Sequence, residues 1–264
     1  MNRPKNFGQN INRTEEYLKK FSREKTLKFL IQEESPIIFD IGANNGSSLV
    51  EFIEWWPESE IYCFEPQEEC WEELEITAQQ ANKTGKVHIN KFAVGSLNDN
   101  NADFYTHDLN TGISGLYKLN IESKDSVLLN ELRPDAEKIN GYAKTINHHR
   151  KVAVKRLDDY ISKDTSLEKI NLMKLDVQGH EVEALQGMGK ALKNVEVIIT
   201  ELNFYDLYVK NLSFSELESC IAPSGFKFYD ISHISKNPLN GRTDWVDVIY
   251  VNTNLIDLDL LIEA

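Results

Sequence analysis

The run Ile37-Ile38-Phe39-Asp40-Ile41-Gly42-Ala43-Asn44-Asn45-Gly46 restricts the folds open to this chain more than any other stretch. Pro36 precedes a short apolar, β-branched segment that reads as a buried strand, and two glycines mark its sharp exit. The residues that follow have helical spacing, with Leu49, Phe52 and Ile53 on one face. Strand, glycine turn and helix form a βα cradle. Gly42 permits backbone angles or a close approach that a Cβ would forbid. The free N–H groups at the helix start then face whatever polar ligand sits there. A glycine pair alone is also compatible with a merely packed βα turn.

The next strand sharpens the reading. Glu60-Ile61-Tyr62-Cys63-Phe64 is a second apolar run and ends in Glu65-Pro66. An acid about twenty positions after the glycine turn, at the tip of the second strand, is where nucleoside-binding sheets hold ribose hydroxyls. A carboxylate suits that task because it can accept two hydrogen bonds from a diol. The turn is not G-x-G-x-x-G, so it lacks the middle glycine that admits a dinucleotide pyrophosphate. Asp40, inside the strand end, would repel such a group and suit a cationic ligand. S-adenosylmethionine, with its sulfonium and ammonium, fits better than NAD, which stays open as the alternative.

At 264 residues the chain is one large domain, or one domain with an added element. A formal charge of −13 argues against a partner held mainly by phosphates, so no nucleic acid is expected. The basic stretch from Arg3 to Lys28 reads as a solvated helix face. Cys63, Cys70 and Cys220 show no C-x-x-C spacing, which suits a reducing compartment and offers no zinc set; no metal is expected. No segment resembles a signal peptide or the ~20 apolar residues of a bilayer span, so the expectation is a cytoplasmic protein without membrane insertion.

Alternating strand and helix signals argue for a parallel, doubly wound α/β sheet. Residues 1–35 read as an N-terminal helical extension, 36–254 as the main domain, and 255–264 as an apolar tail. A helix is expected over 68–82, then a strand from Lys86 through Ala93-Val94-Gly95. Ala102 to Thr106 reads as a short extra strand and Asn110 to Gly115 as a turn-rich loop, in which Ser114 is a candidate substrate contact. An insertion at about 116–150 reads as a lid or substrate element, or as a surface loop, with His148 and His149 as exposed loop residues. Lys151 to Leu157 is an alternating strand, and Ile170 to Val177 and Val195 to Leu202 are buried strands. Helical spacing runs through Val182, Leu185 and Leu192. After a helix near 214–222, segments 225–231 and 245–251 close the sheet as a hairpin pair.

Such sheets bind ligands beyond the carboxyl ends of their strands. Asp40, Asp176 and Glu201 fall at such ends, and His180 follows Asp176 at the start of a helix. Convergence of Asp176, His180 and Glu201 would make a site able to orient and deprotonate a hydroxyl. Glu181 and Glu183 read as complements to a helix N-terminus.

The combination of Phe39-Asp40-Ile41-Gly42-Ala43-Asn44-Asn45-Gly46, Phe64-Glu65-Pro66, Ala93-Val94-Gly95, Val154-Lys155-Arg156-Leu157-Asp158-Asp159-Tyr160 and Lys174-Leu175-Asp176-Val177-Gln178-Gly179-His180-Glu181 resembles the FkbM family of S-adenosylmethionine-dependent methyltransferases. The resemblance covers roughly Pro36 to Asn252, and its specific part is Lys-x-Asp-x-x-Gly-x-Glu followed by Ala184-Leu185-Gln186-Gly187. Many members have Glu where this chain has Gln178.

The resemblance implies the class I methyltransferase (Rossmann-like) fold, a seven-stranded sheet with an antiparallel last strand. It implies methyl transfer, usually to a hydroxyl of a sugar, glycolipid or natural product, with S-adenosyl-L-homocysteine as the other product. Asp40, Gly42, Ala43, Asn44, Asn45 and Gly46 are expected around the methionyl part of the cofactor. Glu65, with Pro66, should hold the ribose diol, Ala93 and Val94 should lie near the adenine, and Asp176 near the transferable methyl. The candidate base is His180 or Asp176, and Glu201 is a candidate substrate contact. A non-catalytic cofactor-binding module and a nicotinamide oxidoreductase are the rival classes. The acceptor's identity and the oligomeric state are not legible.

Overall fold

The computed structural model of the protein describes residues 20–81, 86–108, 110–123, 135–163, 165–237 and 240–263. Most of the expected N-terminal extension and part of the 116–150 insertion lie outside those residues.

The main sheet is built from β1 (Ile37–Ile41), β2 (Glu60–Phe64), β3 (Lys86–Asn90), β7 (Ile170–Leu175), β8 (Val195–Asn203), β9 (Phe226–Lys236) and β10 (Thr243–Asn252). Its order is β3-β2-β1-β7-β8-β10-β9, with β10 antiparallel between β8 and β9. This is the seven-stranded class I methyltransferase topology expected from the resemblance. The order reverses at β1 and β7, which run parallel with Asp40 beside Lys174. A crevice must open there, because connections from the two strands leave to opposite faces.

Successive residues of a strand point to opposite faces, and both faces here are covered. Phe39, Ile41, Phe64, Met173 and Leu175 join one buried cluster; Ile38, Ile61, Cys63 and Leu172 join the other. The first face packs on α6 (Glu181–Gln186) and α7 (Phe214–Ile221), the second on α1 (Arg23–Leu30) and α2 (Ser47–Trp55). α1 starts at Ser22, whose Oγ accepts from the Lys25 N–H, and buries Leu27 and Leu30. It thereby fixes Arg23 over the end of the sheet.

Three expectations need correction. Ala93–Val94 (β4) and His148–Lys155 (β6) leave the main sheet and, with Asp99–Thr106 (β5), form a second sheet in the order β4-β6-β5. His148 and His149 are therefore strand residues, held beside Asp108 and Asp103 at 3.1 and 2.5 Å. The helix after Gly179 also stops at Gln186 and resumes as a 3-10 turn, Gly189–Asn194, instead of running through Leu192. Gly187 touches the chain where a Cβ would sit 2.2 Å from the Gly95 carbonyl, and Gly189 has φ +49°, which a continuing helix excludes. Among the described residues no helix is long and apolar enough to cross a membrane.

Candidate active site

The carboxyl ends of β1, β2 and β4 border a cleft. Gly42 makes its floor. Its φ is +80°, and a Cβ would lie 1.9 Å from the Asp176 carbonyl oxygen, so the two strand exits touch only because the side chain is absent. Asn44 follows in the left-handed region at φ +47°, and its N–H donates to Glu65 Oε2 at 2.8 Å. Gln67 N–H donates to Glu65 Oε1, also at 2.8 Å. Burial pushes the Glu65 carboxyl up, and these two N–H bonds pull it back. A carboxylate has about four lone-pair sites. Two are thus taken by backbone, and the Gln67 side chain also interacts with the carboxyl.

Residues 110–116 cover the cleft. Thr111 Oγ1 donates to Asn44 Oδ1 at 2.9 Å, and Gln67 Nε2 donates to the Thr111 carbonyl at 3.2 Å. Ser114 Oγ and Gln67 Oε1 both belong to lining residues, are buried, and find no hydrogen-bond partner among the described residues. Unpaired buried polar atoms at a ligand cleft are what a polar ligand would satisfy.

Asp176 stands where β7 ends, with its N–H bonded to the Ile41 carbonyl at 3.0 Å. Gln178 Nε2 donates to Asp176 Oδ1 at 2.5 Å, and Gln178 Oε1 accepts from the buried Tyr208 hydroxyl. Glutamine at position 178 has a physical reason in this arrangement: its amide donates to Asp176, where a glutamate would set a second carboxylate against it. Lys174 Nζ donates to the Gly42 carbonyl at 2.8 Å and lies 3.2 Å from Asp40 Oδ1 and 3.5 Å from Asp176 Oδ2. Burial works to lower the Lys174 pKa, but Asp40 and then Asp176 outweigh it and hold the ammonium charged.

Gly42, Asn44, Glu65, Pro66, Ala93, Val94, Ser114 and Asp176 all line the cleft. Ala43, Asn45 and Gly46 shape the turn without lining it; Gly46, at φ +92°, starts α2. Asp40 does not reach the cleft. It is fully buried, with the Lys174 ammonium 3.2 Å from its Oδ1. Glu201 joins Asp176 in a separate polar cavity. His180 lines neither space. It packs beside Gly95 and Tyr117, 3.8 Å from Glu183, and burial pushes its pKa down to about 4. The three-residue convergence of Asp176, His180 and Glu201 is therefore reduced to Asp176 and Glu201.

Sequence reasoning missed the parts played by Lys174, Gln67, Thr111 and Tyr208. A lysine inside the largely apolar β7 was the signal on offer. Nothing local marks Tyr208, which arrives from the connection between β8 and α7.

The family model described as the Methyltransferase FkbM domain matches residues 40–228. The 2-O-methyltransferase NoeI of Sinorhizobium fredii is 26% identical over 180 residues, 68% of this chain and 68% of that one. The hexuronic acid methyltransferase AglP of Haloferax volcanii is 22% identical over 182 residues, 68% of this chain but 62% of the relative, so less than two thirds of that protein is spanned. The crystal structure of magnesium protoporphyrin IX methyltransferase (ChlM) from Synechocystis PCC 6803 with bound SAM has a TM-score of 0.45 and 10% identity, covering 96% of this chain and 86% of that one. That likeness is too remote to add to the topology already traced.

Proposed function

The chain belongs to the FkbM methyltransferase family, and from that premise we propose that it is an O-methyltransferase acting on a hydroxyl of a sugar-type acceptor, with S-adenosylmethionine as donor. When bound, S-adenosylmethionine supplies a methyl group on a positively charged sulfur. The lining of the cleft supports this reading. Glu65 would accept the ribose hydroxyls on the lone pairs that Asn44 and Gln67 leave open. Gly42 and Asn44 would border the methionyl portion, and Ala93 and Val94 would give the adenine an apolar wall.

Asp176 then has the orienting role. Its carboxylate, steadied by Gln178 and Lys174, would accept from a neighbouring hydroxyl of the acceptor and so align the reacting oxygen for in-line attack. Alignment of this kind accounts for much of the acceleration in a bimolecular displacement. His180, uncharged near neutrality and outside the cleft, has a packing role against Gly95 in this reading.

One observation carries the proposal: a buried glutamate at the tip of β2 whose backbone partners occupy only part of its accepting capacity. One relative is named a 2-O-methyltransferase and another a hexuronic acid methyltransferase, which supports oxygen and a sugar as the target. Calorimetry against S-adenosylhomocysteine and NADH, followed by assay of S-adenosylhomocysteine formation with a panel of methyl glycosides, tests it. Binding of the first ligand and turnover with a glycoside are expected. Binding of NADH alone would sink the donor assignment, and binding without turnover would favour a non-catalytic module.

A further inference from the structure

A second, polar cavity, separate from the cofactor cleft, borders Asp176. Its polar lining includes Arg23, Lys174, Asp176, Thr200, Glu201 and Asp247, and Asp176 is the residue it shares with the cleft. The two spaces therefore both border Asp176.

Three features mark this cavity as a site. Glu201 and Asp247 are directly paired across the antiparallel β8–β10 ladder, where two like charges are destabilising. Thr200 is 2% exposed, lines the cavity, and its Oγ1 has no hydrogen-bond partner among the described residues. Arg23 brings a guanidinium from α1, 3.9 Å from Asp247 and 3.7 Å from Glu51, too far for a close pair, and its buried Nε is without a hydrogen bond. Arg23 and Asp247 both lie outside the matched family segment 40–228, so the match assigns neither of them a role.

This lining offers hydroxyl acceptors in its carboxylates and donors in Lys174, Arg23 and Thr200. Three carboxylates face two cations, so the lining is net negative. The complement of such a surface is a neutral molecule with several hydroxyls. An anionic group would meet the carboxylates.

We propose that this cavity is the acceptor's site, that it takes a neutral hexose-like polyol, and that Glu201 accepts the proton of the hydroxyl that is methylated. The proposal rests on the methyltransferase reading above. The hydroxyl O–H bond breaks and its proton passes to the Glu201 carboxylate. The oxygen forms its new bond to the methyl carbon as the carbon–sulfur bond gives its electron pair to sulfur, which loses its positive charge. Burial, then Asp176 and Asp247, push Glu201 up to about 8, into the range where a carboxylate is an effective base. The other charged groups around it are Glu181 on α6, Lys174 on β7 and Arg23 on α1, and Asn203 Nδ2 donates to its Oε1 at 3.0 Å.

Carbon-13 NMR of the full chain, with labelled alanine, threonine and glutamate, tests both halves. Methyl glycosides of glucose, galactose and mannose should shift the Thr200 methyl and Glu201 carboxyl signals; methyl glucuronide should not; S-adenosylhomocysteine should shift Ala93. If S-adenosylhomocysteine moves Ala93 while no neutral glycoside moves Thr200 or Glu201, the acceptor site is overturned and the methyltransferase reading stands. A still Ala93 would remove that reading itself. A shift by the glucuronide equal to that by the neutral glycosides would overturn the charge argument.

For the base, Glu201→Gln should lower turnover about 10²-fold or more with affinity for S-adenosylhomocysteine unchanged. Asp247→Asn keeps the Glu201 carboxylate and removes its negative neighbour. It should move the Glu201 carboxyl titration and the rising limb of the pH–turnover profile to lower pH together. A titration that moves while the limb stays would assign the proton to another group.

Discussion

The two spaces that meet at Asp176 are made of different materials. The cofactor cleft is largely a backbone construction: the bare Cα of Gly42, the N–H groups of Asn44 and Gln67, and left-handed φ values at Gly42, Asn44 and Gly46. Its determinants fall between residues 42 and 67. The polar cavity is a side-chain construction, assembled from Arg23 on α1, Lys174 on β7, Glu201 on β8 and Asp247 on β10. A backbone site demands particular residue types at fixed spacing, whereas a side-chain site can draw its charges from anywhere the topology brings together. That is why the first has a recognisable signature and the second does not.

The contrast can be broken at four points. Gly42→Ala is the most severe, because its methyl would overlap the Asp176 carbonyl at 1.9 Å and strain a φ of +80°. Calorimetry should find no binding of S-adenosylhomocysteine, and retained affinity would show that the cleft does not depend on that contact. Lys174→Met strikes β7, two residues before the Asp176 that the two spaces share. It leaves the buried Asp40 carboxylate without its cation and should cost about 3–5 kcal/mol in urea unfolding. Adding Asp40→Asn should restore part of that loss, and no recovery would mean that Lys174 does not act through Asp40.

Glu65→Gln touches the cleft alone. It keeps an acceptor for one backbone N–H but loses charge-assisted bonds, so binding of S-adenosylhomocysteine should weaken by about 1.5–3 kcal/mol with little change in turnover at saturation. Loss of turnover without loss of affinity would move Glu65 from binding to chemistry.

The smallest effect concerns pH. Glu181, which accepts from the Val177 and Gly179 N–H groups at 3.2 Å, is pushed by burial from 4.5 up to about 7. Between those values the folded chain binds more protons than the unfolded one, so this group's contribution to stability falls as pH rises from about 4.5 to 7. Glu181→Gln should flatten the melting temperature over that window. An unchanged slope would assign the pH dependence to Glu201 and Asp247, whose pKa values are also raised.

Much of the fold was legible because periodicity reports burial. Ile37–Ile41, Ile170–Leu175 and Val195–Asn203 are apolar runs covered on both faces, and each is a central strand. The departures occur where distant chain decides. Ala93–Val94 looks like the outgoing end of β3, yet it pairs with Val154 and Lys155, some sixty residues on. Gly187 and Gly189 interrupt a good helical pattern because a second segment needs the space. His180 looks like a base by position, but the turn at Gln178 and Gly179, with φ +57° and +91°, carries its ring away from the cleft. Gln178 was noticed as a departure from the family's Glu. Its use, donating to Asp176 while accepting from Tyr208, requires a partner thirty residues away.

By itself the sequence determined the class I architecture, the glycine turn, the acid at the tip of β2 and the methyltransferase family, because each rests on residue types at short, fixed spacing. Only the tertiary structure decided that Asp40 answers to Lys174, that His180 is turned aside, and that Glu201 faces Asp247. Electrostatic pairing depends on separation in space, and separation in space between remote segments is set by strand order and register.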